Sequence, residues 1–584
     1  HLVIQLLQLV QAAAVQMQVS VAECTVENGV VKHSSGKSLR YGQVAATAAK
    51  LEVPSEPPFK APKDYRYIGK PVHRLDLYAK ITGEAQFGID VKVPGMLYAS
   101  VRQSPVFGAE VASYDEALAK QQKGVVAVVK IPSGVAVVAD SYWRACKVAL
   151  ELPVKFQGGR TSGQSDTSIR KSFSAALDDV GKASLSGTRV LDVEYEVPYL
   201  AHATMEPMNC TADVQVERCT VWAPTQSPGR ARGKVADLTG LDEEQVTINC
   251  TYLGGGFGRR MEQDFIVQSV LVSKAVGKPV KLIWTREEDM QNDFYRPAYL
   301  SRLQVQLGTD GTPEQWQHQL AGPSIFSQLT ERAFDTKIIG NLMGWLDWDI
   351  TSTKGTKLPY RVKNSNVDYA IVDPGVPVGL WRSVGSSHNA FTMESVMDEA
   401  AHLAGKDPLE YRLALLKGHQ RHARTLERAA QDAGWGSALP PGHSRGLAVH
   451  ESFKSIVAHV FKVSVENGAV RIHRVYSAID CGRYVNPEII RQQVEGSIIF
   501  GISSTLREKI SIQEGRVSNS NYHDYPVARM TDSPEISVSI MENNEGPGGV
   551  GEPGVPPVAP ALCNAIFAAT GKRIRKLTIG DQLA

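Results

Sequence analysis

The stretch Val550-Gly551-Glu552-Pro553-Gly554-Val555-Pro556-Pro557 sets a single carboxylate among glycines and prolines in an almost uncharged neighbourhood. Gly548, Gly549, Gly551 and Gly554 allow backbone angles and close approaches that a Cβ forbids, and Pro553, Pro556 and Pro557 stiffen the loop. Such a loop can present Glu552 to a ligand. Poor solvation raises a carboxylate's pKa toward working pH, which proton abstraction requires. The same residues also describe a glycine–proline turn with a solvated Glu, and the loop alone is compatible with both.

A second candidate is Leu253-Gly254-Gly255-Gly256-Phe257-Gly258-Arg259-Arg260, which follows the strand-like Val246-Thr247-Ile248-Asn249-Cys250 and precedes a helical stretch, 258–277. Glycine N–H groups at a helix N-terminus hold phosphates and oxo ligands. Gly254, Gly255, Gly256, Phe257, Gly258 and Arg259, with Gly551, are therefore candidate cofactor contacts, and a tight structural turn is the alternative. The spacing is not G-x-G-x-x-G, and no acidic residue follows at the distance a dinucleotide fold needs. Gln226 lies in a proline-fixed loop, Trp222-Ala223-Pro224-Thr225-Gln226-Ser227-Pro228, where its amide either bonds a cofactor oxygen or stays solvated. Arg382, within Leu380-Trp381-Arg382-Ser383-Val384-Gly385, either orients an anionic or carbonyl group through its fork of donors or caps its own loop. Trp381 and Val384 flank it as candidate pocket residues.

Two hydrolytic chemistries are disfavoured. Gly442-His443-Ser444-Arg445-Gly446 fits G-x-S-x-G, but prolines precede it and a strand-like run follows, the reverse of a nucleophile elbow. No H-E-x-x-H pair is present.

Positioning such residues takes a large scaffold. A chain of 584 residues exceeds one hydrophobic core, so two to four domains are expected. With 63 basic against 61 acidic residues and no basic stripe, nucleic acid is an improbable partner. Seven cysteines are scattered without C-x-x-C, so the chain is expected to hold no iron–sulfur cluster of its own. The N-terminal run, broken by glutamines, is too short to span a membrane and reads as a packed helix, with no visible targeting signal. Residues 1–62 read as a helical segment with a hairpin at Glu23–Val31 and a linker at Pro54, Pro57, Pro58 and Pro62. An α/β domain follows over 63–160, then a Gly/Ser/Thr-rich connector over 157–182. Strands and amphipathic helices alternate over 183–433 and 444–584; one helix is expected over 389–416 with charged residues on its outer face.

In order, Gln226, Gly254 to Gly258, Arg382, the Glu495-Gly496 region and Gly551-Glu552-Pro553 resemble the molybdenum-binding large subunit of the xanthine dehydrogenase and aldehyde oxidase family, over nearly the whole chain. Lys80-Ile81-Thr82-Gly83-Glu84-Ala85 through Pro94-Gly95-Met96-Leu97-Tyr98-Ala99 resembles its hammerhead domain. Tyr199-Leu200-Ala201-His202-Ala203-Thr204-Met205-Glu206-Pro207 and the stretch 551–571 are most similar to the subgroup named for the beta chains of isoquinoline 1-oxidoreductase, which includes bacterial aldehyde dehydrogenases linked to cytochromes. The fold implied is α+β (mixed α/β): molybdopterin-binding domains of the xanthine oxidase type plus the hammerhead. The resemblance implies a molybdopterin cofactor, in bacteria usually the cytosine dinucleotide, carrying Mo with no protein ligand. Glu552 then matches the general base that takes the Mo–OH proton as oxygen attacks an electron-poor carbon, with hydride passing to a sulfido ligand. Gln226 matches the glutamine bonding the oxo group, Gly256 to Gly258 the loop under the metal, and Arg382 a substrate-side arginine.

The implied reaction is oxidation of an aldehyde to the acid with water as oxygen donor; hydroxylation of an N-heteroaromatic ring is the close rival. The implied partners are a small subunit with two [2Fe–2S] clusters and a cytochrome c subunit, on the periplasmic face of the inner membrane. Two departures stand out. The subgroup's N-terminal Met-Gly-Gln-Gly cofactor segment is absent from this sequence, so that piece of the site is expected from another chain or further residues. Val384 replaces the aromatic that sandwiches a purine, which disfavours xanthine. A non-catalytic scaffold subunit is the reading from a different class.

Overall fold

The computed structural model describes all residues except 1, 54–59, 182–184, 186, 188, 335–348 and 358. Prolines 54, 57 and 58 of the expected linker lie outside the described residues. The chain divides into two compact units, His1–Lys70 and Pro71–Ala584. In the first, helix Leu2–Met17 packs on helix Tyr41–Ala48 and on a three-stranded sheet, with Ala12, Ala13, Val31 and Val44 buried between them. The expected hairpin is present. Cys24–Glu27 pairs antiparallel with Val30–His33 through Asn28-Gly29, both at positive φ (50° and 77°), as a two-residue hairpin turn requires.

The second unit contains mixed sheets covered by helices. A seven-stranded sheet runs in the order Val246–Cys250, Cys219–Ala223, Asn209–Val214, Val280–Ile283, Leu97–Gln103, Gly134–Ala139, Val125–Ile131. Val280–Ile283 lies parallel to Leu97–Gln103, so this sheet is continuous through both the 63–160 and the 183–433 stretches. A four-stranded sheet, Asn364–Ile371, Pro313–Gly322, Tyr299–Leu307 and Val190–Val197, and another, His443–Ser452, Ser455–Glu466, Ala469–Asp480 and Glu535–Ile540, share the largest core with helices Ser386–Leu403 and Val558–Thr570. Helix Val558–Thr570 lies close on strand His443–Ser452 because position 446 is glycine: a Cβ there would collide with Ala565 N and Ala561 O. Ser444 is thus on a strand, and Gly446 of the G-x-S-x-G match serves packing.

Three expectations need correction. The connector over 157–182 contains a 15-residue helix, Asp166–Val180. Ser165 caps it, its Oγ accepting from Ser168 N–H, and Ile169, Phe173 and Leu177 recur every four residues to bury one face. The serines there are a cap and a wet face, not a linker composition. The helix expected from 258 begins at Asp264, because Gly258 at φ 110° leads only into a single 3-10 turn, Arg259–Met261. The helix expected over 389–416 is two, Ser386–Leu403 and Pro408–Leu415, interrupted at Gly405 (φ 67°) and restarted by Asp407, whose carboxylate accepts from Leu409 and Glu410 N–H. The expected outer charged face is present only in part: Lys406, Asp407 and Glu410 are exposed, whereas the acids of the first helix are not. Glu394, Asp398 and Glu399 are buried and pair with Arg412, Arg573 and Arg575. Among the described residues no helix is long and apolar enough to cross a membrane.

Candidate active site

Parallel strands Cys219–Ala223 and Val246–Cys250 deliver two loops to the same edge of the seven-stranded sheet. The first carries Gln226, the second the glycine turn. Gln226 donates its backbone N–H to Arg260 O (2.9 Å), and its Oε1 accepts from Gly258 N–H (3.2 Å). Gly255 and Gly258 sit at φ 98° and 110°, and Phe257 between them at 55°, a conformation costing a non-glycine residue strain of about 1–3 kcal/mol. What holds the turn is the pair Glu206 and Arg260, whose meeting neither residue's own stretch of sequence predicts. Glu206 Oε2 accepts from Gly254 N–H (2.8 Å), while Arg260 donates from Nε to Gly255 O (2.7 Å) and from Nη2 to Glu206 O (2.7 Å). Arg260 is fully buried, and burial lowers its pKa to about 10 against the nearby Glu206 charge.

Two of the expected cofactor contacts change role. Gly254 has its N–H engaged by Glu206, leaving Gly255, Gly256 and Phe257 as the turn's unengaged donors among the described residues. Arg259 points into the protein: its guanidinium is bidentate to Asp264 (2.9 and 2.7 Å), 3.1 Å from Asp293, and stacked near Trp284 and Phe294. Burial would lower its pKa, but the charges of Asp264, Asp293 and Asp289 outweigh that and keep it firmly protonated. It is a buried anchor of the turn.

The Arg382 and Glu552 segments, about 169 residues apart in sequence, lock together. Ser383 N–H donates to Glu552 Oε1 (2.9 Å), and Ser383 Oγ donates to Glu552 O (2.7 Å). Arg382 donates from Nε and Nη2 to Gly551 O (2.8 and 2.6 Å) and from Nη2 to Gln493 Oε1 (3.2 Å). Burial lowers its pKa to about 10, opposed by the Glu552 charge. This departs from a substrate-orienting arginine: those two nitrogens brace the loop that carries Glu552. Ser383 and Val384 form an elbow with consecutive positive φ values of 79° and 50°. Trp381 is buried at 1 % exposure, its Nε1 donating to Ala201 O (3.2 Å), and it packs on Phe500, which packs in turn on Phe257 of the glycine turn. It is wall, not lining. Val384 and Leu380 do border a cavity of roughly 930 Å³, with Trp316, Tyr360, Val362 and Met393 in its wall.

Glu552 is half-buried, and its Oε2 has no partner among the described residues. A Cβ on Gly496, in helix Pro487–Leu506, would meet nothing within 4 Å, and one on Gly551 only Gln493 Oε1 at 3.7 Å. The glycine turn and the Glu552 loop meet across Phe500, whose ring lies 4.8 Å from that of Phe257 and 5.6 Å from the guanidinium of Arg382, the arginine that holds Gly551 O. No three His, Cys, Asp or Glu side chains converge as metal ligands among the described residues. The donor set therefore suits the oxygens and ring heteroatoms of a cofactor that brings its own metal ligands, and molybdopterin fits it.

Two family models match, each described as a molybdopterin cofactor-binding domain, over residues 164–415 and 393–534. The chain is 28% identical to the beta chain of isoquinoline 1-oxidoreductase from Brevundimonas diminuta, covering 99% of this chain and 80% of that protein. It is 30% identical to a membrane-bound aldehyde dehydrogenase of Gluconacetobacter polyoxogenes, whose name specifies pyrroloquinoline quinone, covering 95% and 78%. It is 31% identical to one subunit of the nicotinate dehydrogenase of Pseudomonas putida over 98% of this chain, and spans about half (51%) of that protein's length. Among solved structures, the aldehyde oxidoreductase from Desulfovibrio desulfuricans superposes with a TM-score of 0.72 at 14% identity over 92% of this chain and 83% of that one. Quinoline 2-oxidoreductase from Pseudomonas putida 86 does so at 0.69 and 15% identity over 88% and 97%. These two share the fold.

Proposed function

The chain belongs to the molybdenum-binding large subunits of the xanthine oxidase family, and from that premise we propose that it is the catalytic subunit of a hydroxylase that oxidises an aldehyde to the carboxylic acid with water as oxygen donor. The observation that carries the reading is Glu552: one carboxylate oxygen is fixed by Ser383 N–H from a strained elbow, and the other is unpartnered among the described residues. When bound, the cofactor supplies the oxygen that is transferred and takes up the two electrons removed from the substrate carbon. Glu552 acts as general base and receives the proton released as that oxygen is transferred. Gln226, whose Oε1 is tied to Gly258 N–H, directs its amide N–H groups at a cofactor oxygen. Arg382 keeps the base in place by holding Gly551 O. The cavity beside Val384 receives the substrate, whose carbonyl carbon must come within reach of the Glu552 side.

The cofactor is proposed in its cytosine dinucleotide form, and the electrons pass to a small [2Fe–2S] subunit and onward to a cytochrome c at the periplasmic face of the inner membrane. The scattered free cysteines support an external relay. Hydroxylation of an N-heteroaromatic ring beside nitrogen is the second reading, favoured by the relative named for isoquinoline that matches along 99% of this chain. Both reactions need the same base.

The test is Glu552→Gln in the purified complex, assayed on aldehydes and azaarenes with an artificial electron acceptor. Molybdenum and pterin content stay near wild type while turnover falls by about 10³-fold or more, the order expected when an essential base is lost together with its activation of the attacking group. Retained turnover would sink Glu552 as the base. A wild-type complex without Mo and pterin would leave only the scaffold reading.

A further inference from the structure

His202, in the stretch Tyr199 to Pro207, has no part in the steps above. It is 3 % exposed, and both of its ring nitrogens face acceptors. Nδ1 lies 2.8 and 3.0 Å from the two oxygens of Asp293, and Nε2 lies 3.0 Å from Leu380 O. A carbonyl cannot donate, so Nε2 must carry a proton. Asp293 is ionised: burial pushes its carboxyl up, but the charge and hydrogen bonds of His202 and the charge of Arg259 hold it below the usual carboxylate range. That carboxylate already accepts the backbone N–H groups of His202 (2.6 Å) and Phe294 (2.7 Å). Nδ1 thus lies against a carboxylate whose other close contacts are donors, which fixes the ring and leaves Nε2–H for Leu380 O.

The carbonyl that His202 grips is a junction. A Cβ on Gly258 would collide with Leu380 O and stand 3.4 Å from His202 Nε2, so the glycine turn, the histidine and the start of the elbow meet at one point. Just beyond Leu380, Ser383 and Val384 hold their positive φ values, and Ser383 N–H reaches Glu552. Strained backbone persists only where its surroundings over-determine it. A buried hydrogen bond at the entry of the elbow, from a ring held on its other side by a carboxylate, contributes to that.

We propose that His202 is a positioning residue: a ring fixed by Asp293, whose Nε2–H pins Leu380 O against Gly258 and thereby sets where the elbow presents Ser383 N–H to Glu552. The proposal rests on Glu552 being the base. His202→Asn keeps an amide donor at the Nδ1 side, toward Asp293, and loses the bond to Leu380. His202→Gln places an amide donor at the Nε2 side and retains it. In the assembled complex, kcat of His202→Asn falls about 10- to 100-fold, the cost of a misplacement near 1 Å, with KM within about threefold and Mo content near wild type; His202→Gln recovers most of the loss. Hydrogen exchange of the Val384 and Gly385 amides, bonded to Trp381 O and Thr351 O, accelerates in His202→Asn and stays near wild type in His202→Gln. Equal losses in both variants, loss of Mo in both, or unchanged exchange in His202→Asn would overturn the proposal. Because exchange needs no turnover, it reads the pin even if Glu552→Gln disproves the base.

Discussion

Gly256→Ala probes the site with a single carbon. Its backbone is not in the left-handed region, so alanine meets no conformational penalty there. The added Cβ would stand 2.6 Å from Gln226 Oε1 and 2.9 Å from Gln226 Cδ, where ordinary contact begins at about 3.4 Å. The amide must therefore retreat by about 0.8 Å, the difference between 3.4 and 2.6 Å. Gly256 is buried, but the atoms its Cβ would meet are the far end of the exposed Gln226 side chain, which can swing, so the cost to the fold stays at or below about 1 kcal/mol. What does not tolerate it is the direction of the amide, since the retreat pulls Oε1 from Gly258 N–H, now at 3.2 Å. Losing one preorganised donor costs about 10²- to 10³-fold in kcat, and a misplaced one somewhat less; a fall of about 10- to 100-fold is expected. A double-mutant cycle separates this from damage to the turn. In Gln226→Ala the obstructed atoms are gone, so adding Gly256→Ala should change kcat by less than about twofold. Steady-state assays of the four proteins, normalised to Mo content, decide it. Full additivity, or wild-type kcat in Gly256→Ala, would refute the idea that the turn works by aiming Gln226.

Two further outcomes concern stability. Glu394→Ala removes a carboxylate that is fully buried with Arg412 Nε at 2.9 Å and also accepts from Tyr360 OH. The stranded guanidinium makes the loss about 3–5 kcal/mol, read as a lowered unfolding midpoint in denaturant; a loss under about 1 kcal/mol would mean that Arg412 repairs itself on Asp398, 3.6 Å away. Glu508 tests pH. Burial pushes it up to about 7, against hydrogen bonds from Ser503 and Tyr525 and the charge of Arg296. An unfolded glutamate titrates near about 4.3, so between these values the native state binds the extra proton and stability falls as pH rises through that window. Glu508→Gln should flatten this, by an amount on the order of 1–3 kcal/mol between about pH 5 and 8; identical pH slopes for variant and wild type would show the carboxyl titrating normally.

The parts of the site visible in sequence are those whose chemistry is local. Glycines beside a lone carboxylate, a triple glycine after a strand and a proline-fixed glutamine are unusual within a few residues, and the fold brings Gln226 to Gly258 and Ser383 to Glu552. What holds them is not local. Glu206 reaches Gly254 across 48 residues, Asp293 reaches His202 across 91, and Gln493 reaches Arg382 across 111. His202 and Glu206 lie in a stretch that the sequence singles out, yet nothing in that stretch says which group each will reach. For the same reason Arg259 and Arg260, adjacent and alike in sequence, part company: one serves Asp264 and Asp293, the other Glu206 and Gly255. The helix Ser386–Leu403 follows the same logic. Local sequence places its acids in solvent, because an unpaired charge belongs there, yet Arg573 and Arg575, 175 and 176 residues downstream of Asp398 and Glu399, turn those acids into core. A charged residue's place depends on whether its counter-ion is delivered, and delivery is a property of topology. Local sequence therefore predicts the reacting groups better than the groups that aim them, and in this molecule the second set outnumbers the first.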